Sequence, residues 1–141
     1  MIGKLQTNKV KFAVQIFDYI HSVDSEKLAK KISDEQIKIK KKIKVFLQVN
    51  IGDENQKSGI SKGDVAKLSL FCKEIGLDVI GLMCIPPENT DPEIYFEEMN
   101  IINKSLGFAE LSMGMSGDYL EAIRYNATYV RVGSKIFGSR T

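Results

Sequence analysis

Short β-rich runs alternate with helix-forming stretches along the whole of this chain. The runs are Met1–Leu5, Phe17–Val23 (FDYIHSV), Lys44–Ile51 (KVFLQVNI), Asp78–Ile85 (DVIGLMCI), Leu111–Met115 (LSMGM) and Thr128–Val132 (TYVRV). Their β-branched and aromatic content suits buried strands. Strict β/α alternation implies a parallel sheet joined by right-handed crossovers. Six units in 141 residues leave about 24 residues each. A closed eight-unit barrel typically takes about 250 residues, with roughly 200 as a lower limit. Two architectures are open at this point. One is a doubly wound open sheet; the other is the later part of a barrel whose first units are missing.

The helices between the runs carry their own start signals. Thr7 or Asn8 is expected to cap a short helix through Gln15, and Asp24-Ser25 to cap a second with Leu28, Ala29 and Ile32 facing inward. Ser61 to Asp64 resembles a capping box with Asp in place of Glu, and Val65, Leu68, Cys72 and Ile75 form one stripe after it. Thr90-Asp91-Pro92 opens another helix with proline at the favoured first position, its inner face lined by Phe96, Met99 and either Ile102 or Asn103. Tyr119–Tyr125 makes about two turns, with Leu120 and Ile123 on one face.

Composition narrows the function classes. Lys+Arg numbers 20 against Asp+Glu 18, a formal net charge of +2. That balance argues against a nucleic-acid partner. The lysine-rich run Lys38–Lys44 reads as a solvated helix end rather than an anion patch. Cys72 and Cys84 form no metal-like or redox-like pair, which fits a reducing cytoplasm. No apolar run approaches membrane-spanning length, and Met1-Ile2-Gly3 leads directly into polar LQTNK, so neither a membrane partner nor a signal peptide is expected. One histidine, two distant cysteines and carboxylates without ligand spacing offer no metal site and no Ser-His-Asp arrangement.

Chemistry concentrates between Leu111 and Gly138. Ser116-Gly117-Asp118 is turn and N-cap chemistry at the end of one strand, and Gly133-Ser134 ends the next. Two consecutive strand ends therefore carry a small residue, a hydroxyl and free backbone N–H groups. Such turns can hold a phosphate, because N–H groups at a helix start point outward and the helix dipole favours an anion; they can also be turns and nothing more. Arg131 lies in a strand otherwise suited to burial, and arginine is rarely buried without a partner. Alternation puts Arg131 and Gly133 on one side, Val130 and Val132 on the other. Either a ligand or a structural ion pair with a core carboxylate answers to that charge.

Six segments carry a resemblance in order: IGKLQTNK at 2–9, FDYIHSVD at 17–24, VNIGDENQKSGI at 49–60, GLMCIP at 81–86, LSMGMSGD at 111–118 and VRVGSKIFG at 130–138. Together they resemble the pyridoxal phosphate homeostasis proteins, over nearly the whole chain. The resemblance implies a (β/α)8 barrel of the TIM-barrel type, like the N-terminal domain of alanine racemase. It is incomplete here, with about six β/α units in a single domain spanning 1–141. The family pattern continues upstream of Ile2-Gly3, so the first two strands are expected to be absent. With them goes the lysine to which the family attaches the cofactor, and no other lysine is promoted to that role.

The implied function is binding of pyridoxal 5′-phosphate (PLP), non-covalent in this chain, for storage and delivery rather than turnover. The implied partners are PLP and the apoenzymes that receive it, with a monomeric full-length parent. Ser116, Gly133 and Ser134 would hold the phosphate, and Arg131 would face the pyridine nitrogen. Met83 would pack near the ring or merely fill the core, and Asn50 would reach the ligand or only its own turn. Lys57 reads as a solvated loop lysine rather than an accessory acceptor of the cofactor, and His21 as a satisfied core or rim residue. The rival readings are a fragment of a PLP-dependent amino-acid racemase or decarboxylase, and another phosphate-binding barrel enzyme.

Overall fold

The five strands of this protein run parallel in one sheet, in the order β1-β2-β3-β4-β5. The computed structural model describes residues 1–139. The strands are β1 Tyr19–Val23, β2 Lys44–Gln48, β3 Asp78–Met83, β4 Glu110–Met115 and β5 Tyr129–Arg131. The helices are α1 Val10–Ile16, α2 Glu26–Lys38, α3 Val65–Glu74, α4 Pro92–Ser105, α5 Tyr119–Arg124 and α6 Ser134–Phe137. Each strand is followed by a helix, and spatial neighbours are sequence neighbours. That is the order of a barrel wall, which decides between the two architectures left open by the sequence.

Five strands are seen among the described residues where six are expected. Met1–Leu5 forms no strand. It is held to β1 by the Met1 ammonium donating to the Tyr19 carbonyl at 2.6 Å and the His21 N–H donating to the Met1 carbonyl at 2.9 Å.

Start signals were legible for the longer helices. Ser25 Oγ accepts from the Leu28 N–H, Ser61 Oγ from Asp64 N–H, and the Asp91 carboxylate from Glu93 N–H. Asp64 completes its box differently from the usual pattern, accepting from the Ser61 hydroxyl at 2.7 Å. The first helix departs from expectation. A 3-10 turn at Thr7–Lys9 leads into α1, and no side chain caps either.

The core is one apolar layer between sheet and helices. Ile20, Val45, Leu47, Leu82, Leu111 and Met113 from the strands meet Val14, Ile32, Leu68, Phe96 and Met99 from the helices. Burial of each large side chain stabilises by about 1.5–3 kcal/mol. Asn103, not Ile102, takes the innermost place on α4. Its Oδ1 accepts from Leu82 N–H at 3.0 Å and its amide donates to the Phe108 carbonyl at 3.3 Å. The buried amide is thereby satisfied while it ties α4 to β3. On α5 the buried residue is Ala122, while Leu120 and Ile123 are exposed. The cause is Gly114: with φ at +93°, its backbone lies so close to α5 that an added Cβ would meet the Ala122 methyl group at 2.6 Å. Only a small residue fits the contact.

The other face of the sheet is concave. His21 of β1 stacks on Phe46 of β2, with ring centroids 4.2 Å apart, and meets Tyr129 of β5 edge-on at 5.6 Å. Tyr19 and Tyr129 also approach, at 6.0 Å. Strands at opposite edges touch through their side chains, so the sheet is curled into part of a barrel.

Candidate functional site

The C-terminal ends of β4 and β5 lie side by side, and the turns that follow them are bonded together. After β4 the Met115 N–H donates to the Asp118 carboxylate at 2.7 Å, and the Asp118 N–H returns to the Met115 carbonyl at 3.1 Å. Asp118 stands at the N-cap of α5, but its side chain secures this turn instead of capping the helix. The turn presents Ser116. Its Oγ accepts from the Gly133 N–H at 3.1 Å and from the Lys135 N–H at 3.4 Å. An oxygen bearing partial negative charge thus already sits against the first N–H groups of α6.

Ser116, Arg131, Gly133 and Ser134 line one open cleft of about 950 Å³, walled by Ile2, Ile85, Met115, Val130 and Phe137. All four residues expected to hold a phosphate ester and a ring nitrogen come together there. The cleft lies at the C-terminal ends of the strands, where barrel folds place their sites. A separate hollow of about 590 Å³, lined by Lys42, Asp78 and Gly107 among others, lies at the opposite ends of the strands, away from these residues.

Gly133 has φ −118°, which any residue adopts, and an added Cβ would meet nothing within 4 Å. Neither backbone conformation nor packing calls for glycine at this position. The open space beside it is where a ligand can approach the main chain. Ser134 is exposed, and among the described residues its hydroxyl and N–H have no hydrogen-bond partner. Lys135 Nζ lies 4.7 Å from the centroid of the Tyr119 ring.

Arg131 reaches back beneath the cleft. Its Nη1 donates to Ser112 Oγ of β4 at 2.8 Å, and its Nη2 donates to the Cys84 carbonyl after β3 at 2.8 Å. Both acceptors are neutral, and among the described residues Arg131 makes no ion pair. The expected alternative, a pair with a core carboxylate, is not what holds it. Burial lowers its pKa, opposed by the charge of Asp118, yet a guanidinium starts so high that it stays charged. The site therefore offers a fixed cation without an ion-pair partner among the described residues, and a set of hydrogen-bond donors. That arrangement suits an anionic ester with an acceptor atom behind it.

Two expected residues lie elsewhere. Met83 is fully buried between Gln48 and Ser112 in the sheet and does not line the cleft. Asn50 spends its amide on its own turn, donating to the Glu54 carbonyl at 2.8 Å and accepting from the Glu54 N–H at 3.1 Å. It lines a neighbouring hollow of about 320 Å³ with Gln48 and Lys57. Lys57 pairs with Glu54 at 3.0 Å. His21 is buried, and its Nδ1 lies 2.8 Å from Ser112 Oγ. Burial, then the charges of the N-terminus and Arg131, lower its pKa to about 4.

Sequence reasoning missed Ser112, the Cys84 carbonyl, Phe46 and Tyr129. The only signal for Ser112 was its place as a polar residue in the otherwise apolar run LSMGM; which side chains it meets depends on pairing with β5, which the sequence does not show.

Residues 1–141 match the family model described as alanine racemase, N-terminal domain. A pyridoxal phosphate homeostasis protein of Vibrio alginolyticus is 36% identical over 99% of this chain and 64% of its own length. One of Synechocystis sp. is 39% identical over 99% of this chain and 68% of its own length. The chain thus spans about two thirds of such relatives, and less than that of the first. Among solved structures, PipY of Synechococcus elongatus with PLP bound superimposes with a TM-score of 0.88 at 32% identity, covering 96% of this chain and 68% of that one. The parallel half-barrel and the ordered motifs agree with these likenesses, and the chain belongs to the pyridoxal phosphate homeostasis proteins, within the alanine racemase N-terminal domain family.

Proposed function

We propose that this chain binds PLP non-covalently and serves PLP homeostasis by holding and releasing the cofactor rather than by turning over a substrate. One observation carries the reading: Ser116, Gly133, Ser134 and the donor-only side chain of Arg131 line a single cleft. The two hydroxyls and the N–H groups at the start of α6 would hold the phosphate. Gly133 leaves room for it, because no side chain stands between the main chain and the cleft. Arg131 would meet the ring nitrogen. A guanidinium has only donors, so it bonds an unprotonated nitrogen.

When bound, PLP supplies an aldehyde and an electron-accepting ring; an unprotonated ring accepts electrons less well than a pyridinium. The residues around the cleft add to that restraint. None of those lining it is a lysine, histidine, tyrosine, cysteine or carboxylate. Lys4 and Lys57 line instead the adjoining hollow, which shares Ile2, Gly3 and Ile85 with the cleft. The names of the relatives and the PLP-bound PipY structure support the same reading. Delivery to PLP-dependent apoenzymes follows from reversible binding, since a cofactor held without a covalent bond can leave.

The test is a PLP titration followed by absorbance and calorimetry, then borohydride reduction and mass spectrometry of the loaded protein. Saturable binding with no reduced adduct is expected. Absence of saturable binding overturns the function. A stoichiometric adduct on one lysine overturns its non-covalent character.

A further inference from the structure

The bond between Arg131 and Ser112 continues one residue deeper, and the continuation has only one consistent arrangement of protons. Ser112 is fully buried on β4. Among the described residues its hydroxyl oxygen has two partners, Arg131 Nη1 at 2.8 Å and His21 Nδ1 at 2.8 Å. A guanidinium only donates, so the serine oxygen must accept from Arg131. Its single proton then needs an acceptor. If His21 carried hydrogen on Nδ1 it would donate as well, leaving the serine proton buried with nowhere to go, at the cost of an unmade hydrogen bond. With Nδ1 bare, the serine donates to it and every bond is made.

We infer that Ser112 and His21 are positioning residues for Arg131: His21, neutral with its hydrogen on Nε2, accepts from Ser112, and Ser112 in turn accepts from Arg131. The three side chains come from β1, β4 and β5, and form a directed chain across the concave face. Stacking on Phe46 and the edge contact with Tyr129 hold the imidazole plane. The Cys84 carbonyl holds the second arm of the guanidinium. The cation is thereby aimed by two neutral acceptors, and among the described residues no carboxylate bonds to it. Burial and the neighbouring positive charges favour the neutral imidazole that the arrangement requires.

The sequence contains one histidine, so its nitrogen resonances are unambiguous. The experiment is nitrogen-15 NMR of the imidazole at neutral pH, in the wild-type chain, Ser112→Ala and Ser112→Thr, with binding of PLP and of inorganic phosphate measured on each. The wild type is expected in the Nε2–H form. Ser112→Ala should shift the Nδ1 resonance and weaken PLP binding about tenfold, the loss typical of a hydrogen bond to a charged group, while phosphate binding stays. Ser112→Thr, which keeps the hydroxyl, should restore both.

A wild-type Nδ1–H tautomer overturns the inference without any variant, and so does a Ser112→Ala protein with unchanged Nδ1 resonance and unchanged PLP affinity. The aim of Arg131 at PLP rests on the proposed function, but the tautomer does not. A wild-type chain that binds no PLP yet shows the Nε2–H form and the Ser112→Ala shift supports the side-chain chain and overturns only the cofactor reading.

Discussion

Ser116 Oγ accepts the Gly133 N–H at 3.1 Å, so the turn after β4 is bonded to the turn after β5 at the point where both meet the cleft. A hydroxyl in that position can keep its bond to Gly133 and direct its own proton at an incoming oxygen. Replacement of Ser116 by Ala removes both. We expect PLP and inorganic phosphate to bind about five- to tenfold more weakly to Ser116→Ala, measured by calorimetry. Equal affinity would mean that the serine only ties the two turns.

Two glycines should separate stability from binding. Gly81 sits in β3 against β4, and an added Cβ would fall on the main-chain carbonyl of Glu110. Backbone cannot move aside cheaply inside a parallel sheet, so Gly81→Ala should lose several kcal/mol, read by urea denaturation. Gly133 faces open space, so Gly133→Ala should melt within about two degrees of wild type. The same methyl group should weaken phosphate and PLP binding, because it occupies the approach to the main chain.

His21 makes stability depend on pH with a definite sign. Its pKa falls from 6.5 to about 4 on folding. Between those values the unfolded chain binds the proton and the folded chain does not. Stability from this group is therefore undiminished above about 6.5 and is lost as pH falls toward 4. Allowing for solvent screening, the loss between pH 7 and pH 5 should be about 1–2 kcal/mol. The check is urea denaturation at both pH values for wild type and His21→Gln. The difference between the two proteins isolates the histidine from the carboxylates, and an equal pH dependence in both would contradict the assignment.

Both cysteines should be inert in the folded protein. Cys72 and Cys84 are fully buried, and burial pushes each thiol up to about 12. The thiolate is the reactive species, and neither access nor charge favours it. An alkylating reagent at pH 8 should label neither residue until denaturant is added, as mass spectrometry would show.

The β/α alternation, the starts of the longer helices and the two strand-end turns were legible in the chain because each depends on neighbours within a few residues. Ser25, Ser61 and Asp91 cap N–H groups two or three positions away. The turn chemistry at Ser116 and Gly133 is equally local. Which side of α5 packs inward was not legible, for the opposite reason: Leu120 and Ile123 share a face, but that face is exposed. Periodicity identifies a stripe, but the close approach of Gly114 decides that Ala122 is the side chain that fits. Among the described residues, no helix is long and apolar enough to cross a membrane.

What the sequence determined by itself is the alternation of β and α units and the small polar residues at two strand ends, since hydrophobic period and turn chemistry are properties of short segments. Only the tertiary structure decided what Arg131 faces. Its acceptors, Ser112 and the Cys84 carbonyl, lie 19 and 47 residues away, and His21 lies 91 residues from Ser112. Those groups meet because right-handed crossovers stack the strands in parallel and the curl of the sheet turns β1 toward β5. No pattern along one strand encodes that meeting; it follows from closing many units against one another, which is why the cation's neutral acceptors could not be read before the fold was known.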